Sequence, residues 1–465
     1  MVRLLFLAHR YLGIGVGLLM SMWCLSGLVM MYVTYPDLGQ TERAAHLAPI
    51  RWDRCCMAAS DALGDTDTLD RFRIEMLDGR PILDLGDGPD ASGRVDLATG
   101  AELDSISLAE ARTVAAAYAG NHPWRALGSV QVDQWTLEGV PSGERPLYHF
   151  AIDDPAQTQL YVSSLTGRAV QLTTRHERFW NWLGAIPHWL YFTGLRRHAL
   201  LWTQVVIYTS LVGCFLTAIG LYLGLRQLLR RPAGRWSPYR GFNLWHHLAG
   251  LVFGVFSLTW VLSGLLSMNP WGWLEGGDAT TERQLLRGAD PTGKQLREAL
   301  QALAQARPPG IVSIVGAPFE GRPFMIATDQ LGRQWRLDGA GHPSPLDRGQ
   351  REFIAGVLGG PLILLAQGDD YYFSHHSEPA RLPVYRAVSA SGDRYYVDPL
   401  SGALLTKLDA GARGYRWWHE ALHRLDFAAV VRGRPQWDVI MWVLMAGVTT
   451  VSLTGVYLAG RRLLL

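Results

Sequence analysis

Fourteen histidines are spread over 465 residues, and four of them stand in matched positions. Setting His9-Arg-Tyr-Leu-Gly13 beside His246-His-Leu-Ala-Gly250, an offset of 237, also brings Gly17 onto Gly254, Trp23 onto Trp260 and Leu25-Ser-Gly-Leu28 onto Leu262-Ser-Gly-Leu265. At an offset of 235, His188 meets His423, Trp202 meets Trp437, Gly220 meets Gly455 and Tyr222 meets Tyr457. The chain is thus a duplication. Imidazole is the commonest metal ligand, so paired imidazoles could grip haem iron from both sides, bind another metal or relay protons. The bland alternative is a ring at a membrane interface.

Other chemistries lack their residues. Cys24, Cys55, Cys56 and Cys214 form no CxxC or CxxCH element, which excludes an evident zinc site, a thioredoxin-type pair and covalent c-type haem attachment. No P-loop, GxGxxG, GxSxG or HExxH sequence occurs.

The elements that must position the histidines are membrane helices. Hydrophobic residues make up 48% and charged residues 18% of the chain, with 18 Trp and 50 Gly, which excludes a disordered chain. A net charge of +2 excludes a strongly basic nucleic-acid binder. Mean hydropathy is only +0.05, so a few spans must carry large water-soluble parts. Four uncharged stretches are long enough to cross a bilayer: Tyr11 to Tyr35, Ala199 to Leu225, Gly241 to Leu274 and Val439 to Gly460. The first lacks a small-residue cleavage site and is read as a retained helix.

The link between the second and third spans holds Arg226, Arg230, Arg231, Arg235 and Arg240 with no acid, and Arg3, Arg10, Arg461 and Arg462 mark the ends. By the positive-inside rule these lie in the cytoplasm, and the two long segments project to the other side. The expected division is a first span in 1–35, an extramembrane domain at 36–178, an interfacial helix at 179–198, a span at 199–225, the basic loop 226–240, a span at 241–270, a second domain at 271–412, an interfacial helix at 413–436, a span at 437–460 and a tail at 461–465.

The long segments repeat as well. Leu160-Tyr-Val-Ser-Ser-Leu-Thr-Gly167 matches Tyr395-Tyr-Val-Asp-Pro-Leu-Ser-Gly402, with weaker copies at 94–100 and 335–341. Alternating apolar residues around such turns predict antiparallel hairpins, and Leu108 to Ala119 and Leu296 to Ala306 predict short amphipathic helices. The fold class expected is an α-helical membrane protein with a duplicated 2+2 arrangement of spans and two α+β domains. Two spans per half give both halves the same sense, so a pseudo-two-fold axis runs along the membrane normal. Matched residues then lie at equal depth on opposite sides of that axis. His9 and His246 face each other at the cytoplasmic end, His188 and His423 at the other.

Two imidazoles across a two-fold axis are what bis-histidine haem ligation requires. Gly13, Gly15, Gly17, Gly250 and Gly254 would admit a flat macrocycle, or equally serve helix contact. Three further histidines are weaker candidates. His247 points about 100° away from His246 on a helix, His419 stands one turn before His423 and could replace it, and His198 matches Gly433. His375-His376 reads as a solvated loop.

These motifs resemble the PepSY-associated transmembrane-helix family, also described as iron-regulated membrane proteins. The marks are His9-Arg-Tyr-Leu-Gly, the two Leu-Ser-Gly endings, Val397-Asp-Pro-Leu-Ser-Gly402, the histidines ahead of the second and fourth spans and Leu453-Thr-Gly-Val-Tyr-Leu458. The resemblance implies a bacterial inner-membrane protein with periplasmic PepSY-like domains. Similar members include haem-containing reductases that release siderophore iron by reducing Fe(III) to Fe(II). Carried over by position, His9, His246, His188 and His423 are the expected ligands of two b-type haems; their pairing comes from the symmetry above. Ser163-Ser164 stands where the second-half turn has Asp398-Pro399, a departure from the family's turn in the first domain. The partners so implied are a ferric siderophore or other ferric chelate, membrane lipid and a cytoplasmic or quinol electron donor, with no nucleic acid. The rivals are a sensory PepSY-type protein without redox activity and a transporter of metal or chelate.

Overall fold

In the computed structural model, residues 2–56, 63–64, 71–86, 93–375 and 379–464 are described. Four long helices dominate: Val2–Met30, Ala199–Leu229, Phe242–Ser267 and Gln436–Leu463, the first to fourth spans. Each is long and apolar enough to cross a membrane. The first starts well before Tyr11, because one helix absorbs both Arg3 and Arg10, which stay exposed while the apolar residues between them continue the turn. That early start is what puts His9 inside the span. The third stops at Ser267, short of the expected end, where Asn269 turns left-handed (φ 42°) ahead of Pro270.

Contacts between the spans run in a ring, first to second to third to fourth and back to first. Small residues set the close approaches in matched pairs. A Cβ on Gly17 would meet Val456 at 3.5 Å, and one on Gly254 would meet Leu221 at 2.7 Å. The outward faces carry Leu18, Phe215, Val252 and Val443, all exposed as lipid contact demands.

Among the described residues, three antiparallel sheets lie outside the span helices. Strands β1 (Phe72–Leu77), β2 (Arg80–Leu85) and β3 (Gly93–Asp96) precede a four-stranded sheet of β4 (Trp124–Val130), β5 (Leu147–Ile152), β6 (Gln159–Ser163) and β7 (Ala169–Thr173). The second half repeats the plan with β8 (Ile311–Gly316), β9 (Met325–Asp329) and β10 (Gln334–Leu337), then a sheet of β11 (Ile363–Leu365), β12 (Val384–Val388), β13 (Arg394–Val397) and β14 (Leu404–Leu408). Both predicted hairpin turns are present, and Leu108–Ala119 is a helix with a Ser107/Glu110 capping box. The helix read at Leu296 begins earlier, at Gly293, where Thr292 and Gln295 cap it reciprocally.

The two extramembrane segments are joined. β1 pairs with β8 to give one six-stranded sheet, order β10-β9-β8-β1-β2-β3, with Ile74 opposite Ile314 and Glu75 opposite Ser313. Both isoleucines are fully buried, and each such side chain contributes roughly 1.5–3 kcal/mol. Glu75 ion-pairs with Arg43 and Arg73 and accepts a hydrogen bond from Ser313 Oγ at 2.9 Å. Burial alone would raise its pKa, but Arg43, Arg73 and Arg168 outweigh that and hold it at about 2. Cys55 and Cys56, in the core beside this sheet, are bonded to each other.

The stretch read as one interfacial helix at 179–198 is three: Arg175–Leu183, Ala185–Trp189 and Thr193–Arg196. Gly184 leaves helical geometry and Leu190 turns left-handed (φ 54°). Its counterpart is Ala410–Tyr415, a π-helical turn at Arg416–Ala421 and Leu422–Arg424, closed by Leu425, also at φ 54°. Phe179 and Trp182 are exposed while Asn181, Ala185 and Ile186 are buried.

Candidate functional site: two histidine pairs

His9 on the first span and His246 on the third meet across the bundle, with ring centres 6.2 Å apart and planes at 42°. His188, on the short helix Ala185–Trp189, and His423, on Leu422–Arg424, meet likewise with ring centres 6.0 Å apart and planes at 72°. The four rings that the repeat singles out are therefore brought together as two pairs. His188 bonds to Trp23 and Ser26, which lie 14 and 17 residues beyond His9 on the first span. At 1.5 Å per residue the pairs are roughly 21–26 Å apart along the bundle.

Each ring is held by Nδ1. His9 Nδ1–H donates to the Leu216 carbonyl at 3.1 Å, and His246 Nδ1–H to the Val451 carbonyl at 3.2 Å, positions that match in the repeat. His188 Nδ1–H donates to the Trp23 carbonyl and to Ser26 Oγ, both at 3.1 Å. His423 Nδ1–H donates to Ser263 Oγ at 2.9 Å and bonds to the Trp260 backbone. A carbonyl only accepts, so the proton sits on Nδ1 and Nε2 keeps its lone pair. A metal-bound histidine has the same arrangement, with its second nitrogen donating to an outer-shell carbonyl.

Spacing tests the fit. An imidazole nitrogen lies about 2.0 Å from a bound transition metal and about 1.1 Å from its own ring centre, so two imidazoles on opposite sides of one ion have centres about 6.2 Å apart. Both pairs match. Among the described residues no cluster of three or more His, Cys, Asp or Glu forms a metal cage. Two opposed imidazoles suit an ion that brings its own equatorial donors, as haem iron does.

Glycines decide how closely the rings are cradled. A Cβ on Gly220 would stand 2.6 Å from His9 Cε1, and one on Gly455 3.2 Å from His246 Cε1; at the other end a Cβ on Gly27 would stand 3.4 Å from His188 Cε1. Four residues after His9 and His246, on the same helix face, Gly13 and Gly250 have open space where a Cβ would be, and so does Gly15. Gly17 and Gly254 pack against neighbouring spans instead. Sequence reasoning used Gly220 and Gly455 only as markers of the repeat; their spacing before the next matched aromatic gave no sign of contact with a ring.

His188 and His423 lie outside the four span helices. Burial pushes the first imidazole down to about 4, and burial reinforced by the facing His188 pushes the second down to about 3, so both are neutral and able to donate a lone pair.

The weaker candidates part company. His247 uses both nitrogens elsewhere, toward Ser237 Oγ at 2.9 Å and the Gly224 carbonyl at 2.8 Å, and so ties the arginine-rich loop to the third span. His198 is exposed beside Arg197 and is not brought to either pair. His419 is brought to the His188/His423 pair: its ring centre is 5.6 Å from that of His423, and its Nδ1–H donates to the Ser263 carbonyl at 2.8 Å. His375 stands 3.9 Å from buried Asp426, and His376 lies outside the described residues.

Comparison with curated proteins found no match. The sequence does match the family described as the PepSY-associated TM region over residues 6–358, a stretch that includes His9, His188 and His246 and ends before His423. With four span helices, antiparallel α+β regions and three of its four paired histidines inside the matched stretch, this chain belongs to the PepSY-associated transmembrane family.

Proposed function

We propose that the protein is a di-haem b-type electron-transfer protein of a bacterial inner membrane that reduces a ferric chelate, such as a ferric siderophore, on the side of its large extramembrane segments. The observation that carries this reading is the spacing of the two histidine pairs, 6.2 and 6.0 Å between ring centres, at the two ends of one bundle. Bound haem would supply one-electron chemistry, with its potential set by axial ligands, hydrogen bonding and burial.

The chain's own residues provide the rest. His9 and His246 would hold one group and His188 and His423 the other, each ring oriented by its Nδ1–H bond. Within the bundle Cys24, Met445 and Val448 are buried in one apolar cluster against Phe253, Phe256 and Trp260, which would keep water from the path between the two groups. Nine arginines and no acid at one end of the spans favour that end in the cytoplasm. The loop at 226–240 is too short to hold a flavin or nicotinamide domain, and the donor proposed is a cytoplasmic carrier or a quinol.

Protein expressed with haem supply and purified in detergent tests this. About two b-type haems per chain, with the sharp reduced bands of bis-histidine ligation, are expected. Haem-free protein would overturn the reading and leave a sensory or transport role.

A further inference from the structure

The duplication is broken at the atoms that polarise the imidazoles. At the outer pair both rings have a hydroxyl beside Nδ1: Ser26 Oγ at 3.1 Å from His188 and Ser263 Oγ at 2.9 Å from His423. Both hydroxyl protons are spent on their own helix, Ser26 to the Met22 carbonyl at 2.7 Å and Ser263 to the Trp260 carbonyl at 3.0 Å. Each serine oxygen therefore faces its imidazole as an acceptor.

The inner pair has only half of this. Thr454 Oγ1 lies 3.2 Å from His246 Nδ1 and donates to the Thr450 carbonyl at 2.6 Å, so it too accepts. The position equivalent to Thr454 in the repeat is Ile219, whose side chain accepts nothing, and His9 Nδ1 bonds to the Leu216 carbonyl. Outer-shell acceptors raise the basicity of a ligating imidazole and favour the more positive metal state.

We infer that the serines of the two Leu-Ser-Gly motifs are positioning residues that set the outer site to a lower reduction potential than the inner one, and that Ile219 leaves the inner site higher. This rests on the two-haem reading above. The arrangement has a use. Delivering an electron to the positive side of the membrane is favoured by the transmembrane potential, so the outer site can be the stronger reductant, as reduction of a tightly chelated ferric ion requires, without stalling transfer from the inner one.

Redox titration of purified holoprotein, followed in the visible spectrum, tests this. Ser26→Ala and Ser263→Ala together should raise the outer midpoint and leave the inner one in place. The expected shift is about tenfold in the ratio of reduced to oxidised outer haem at a fixed poise, or about 59 mV for one electron. Ser263→Thr, which keeps the hydroxyl, should restore the wild-type value, which a merely structural role would not predict. Ile219→Thr should lower the inner midpoint alone, and this variant decides the matter should the alanine variants lose the outer haem. Unmoved midpoints in haem-replete variants would sink the inference but leave the two-haem reading standing. Absence of haem from the wild type would sink that reading instead.

Discussion

The inner and outer histidine pairs have nearly the same ring spacing, but they reach it by different means. His9 and His246 belong to the spans, so helix geometry alone fixes their depth, and glycines on the adjacent spans let them in. His188 and His423 sit on short helices between an extramembrane sheet and the next span. These are pinned from several sides. Asn181 donates to the Thr34 carbonyl at 2.8 Å, Gln134 to the Tyr191 carbonyl at 2.6 Å, and Arg416 to the Asp370 carbonyl at 3.2 Å. The inner pair depends on the bundle, whereas the outer pair depends on docking of the soluble regions. One ring spacing can thus be exposed to quite different failures.

Several measurements would break or sharpen that contrast. On the two-haem reading, the largest effect comes from the four paired histidines. His188→Ala or His423→Ala should remove one haem and abolish chelate reduction while the inner haem remains, whereas His9→Ala or His246→Ala should spare the outer haem. Haem counts and spectra of the four variants check this, and survival of both haems in a His188/His423 double variant would end the outer assignment.

The shared sheet comes next. Glu75→Ala removes the buried carboxylate that Arg43 and Arg73 share, which costs about 3–5 kcal/mol. Because the folded-state pKa of Glu75 is depressed to about 2, its contribution is complete above the ordinary carboxylate range and is lost as pH falls from about 4.5 toward 2. On the two-haem reading, acidification should release the outer haem before the inner one, through protonation of His188 and His423 as well as of Glu75, and Glu75→Gln should remove only the Glu75 part of that pH dependence. Simultaneous loss of both haems would contradict the division drawn here.

Glycine replacements act at the inner end. Gly220→Ala places a methyl 2.6 Å from the His9 ring and should weaken inner haem retention by roughly 1–3 kcal/mol, while Gly455→Ala, at 3.2 Å, should do less. Competition with a haem-scavenging apoprotein gives the two rates. The smallest effect is expected from Asn181→Ala, about 1 kcal/mol, read as faster thermal loss of the outer haem with the inner unchanged.

Much of this architecture was legible from residue order. Uncharged length located the spans, the repeat paired His9 with His246 and His188 with His423, and alternating apolar residues located the hairpins. The serines were legible only as letters of a repeated Leu-Ser-Gly motif, since nothing local says that an oxygen on one helix will meet an imidazole 160 or more residues away. The second ring nitrogen of His247 was equally hidden, because its partners lie on a loop and at the end of another span.

The sequence by itself determined the number of spans, the two-fold relation between halves and which histidines share a depth, because hydropathy and internal repetition are properties of residue order. Tertiary structure alone decided that the rings approach to about 6 Å, that their Nδ1 protons point at particular carbonyls and hydroxyls, and that strands from both segments merge in one sheet. Those outcomes rest on distances of a few ångströms between residues far apart in the chain, where packing and hydrogen bonding, not local pattern, set the geometry.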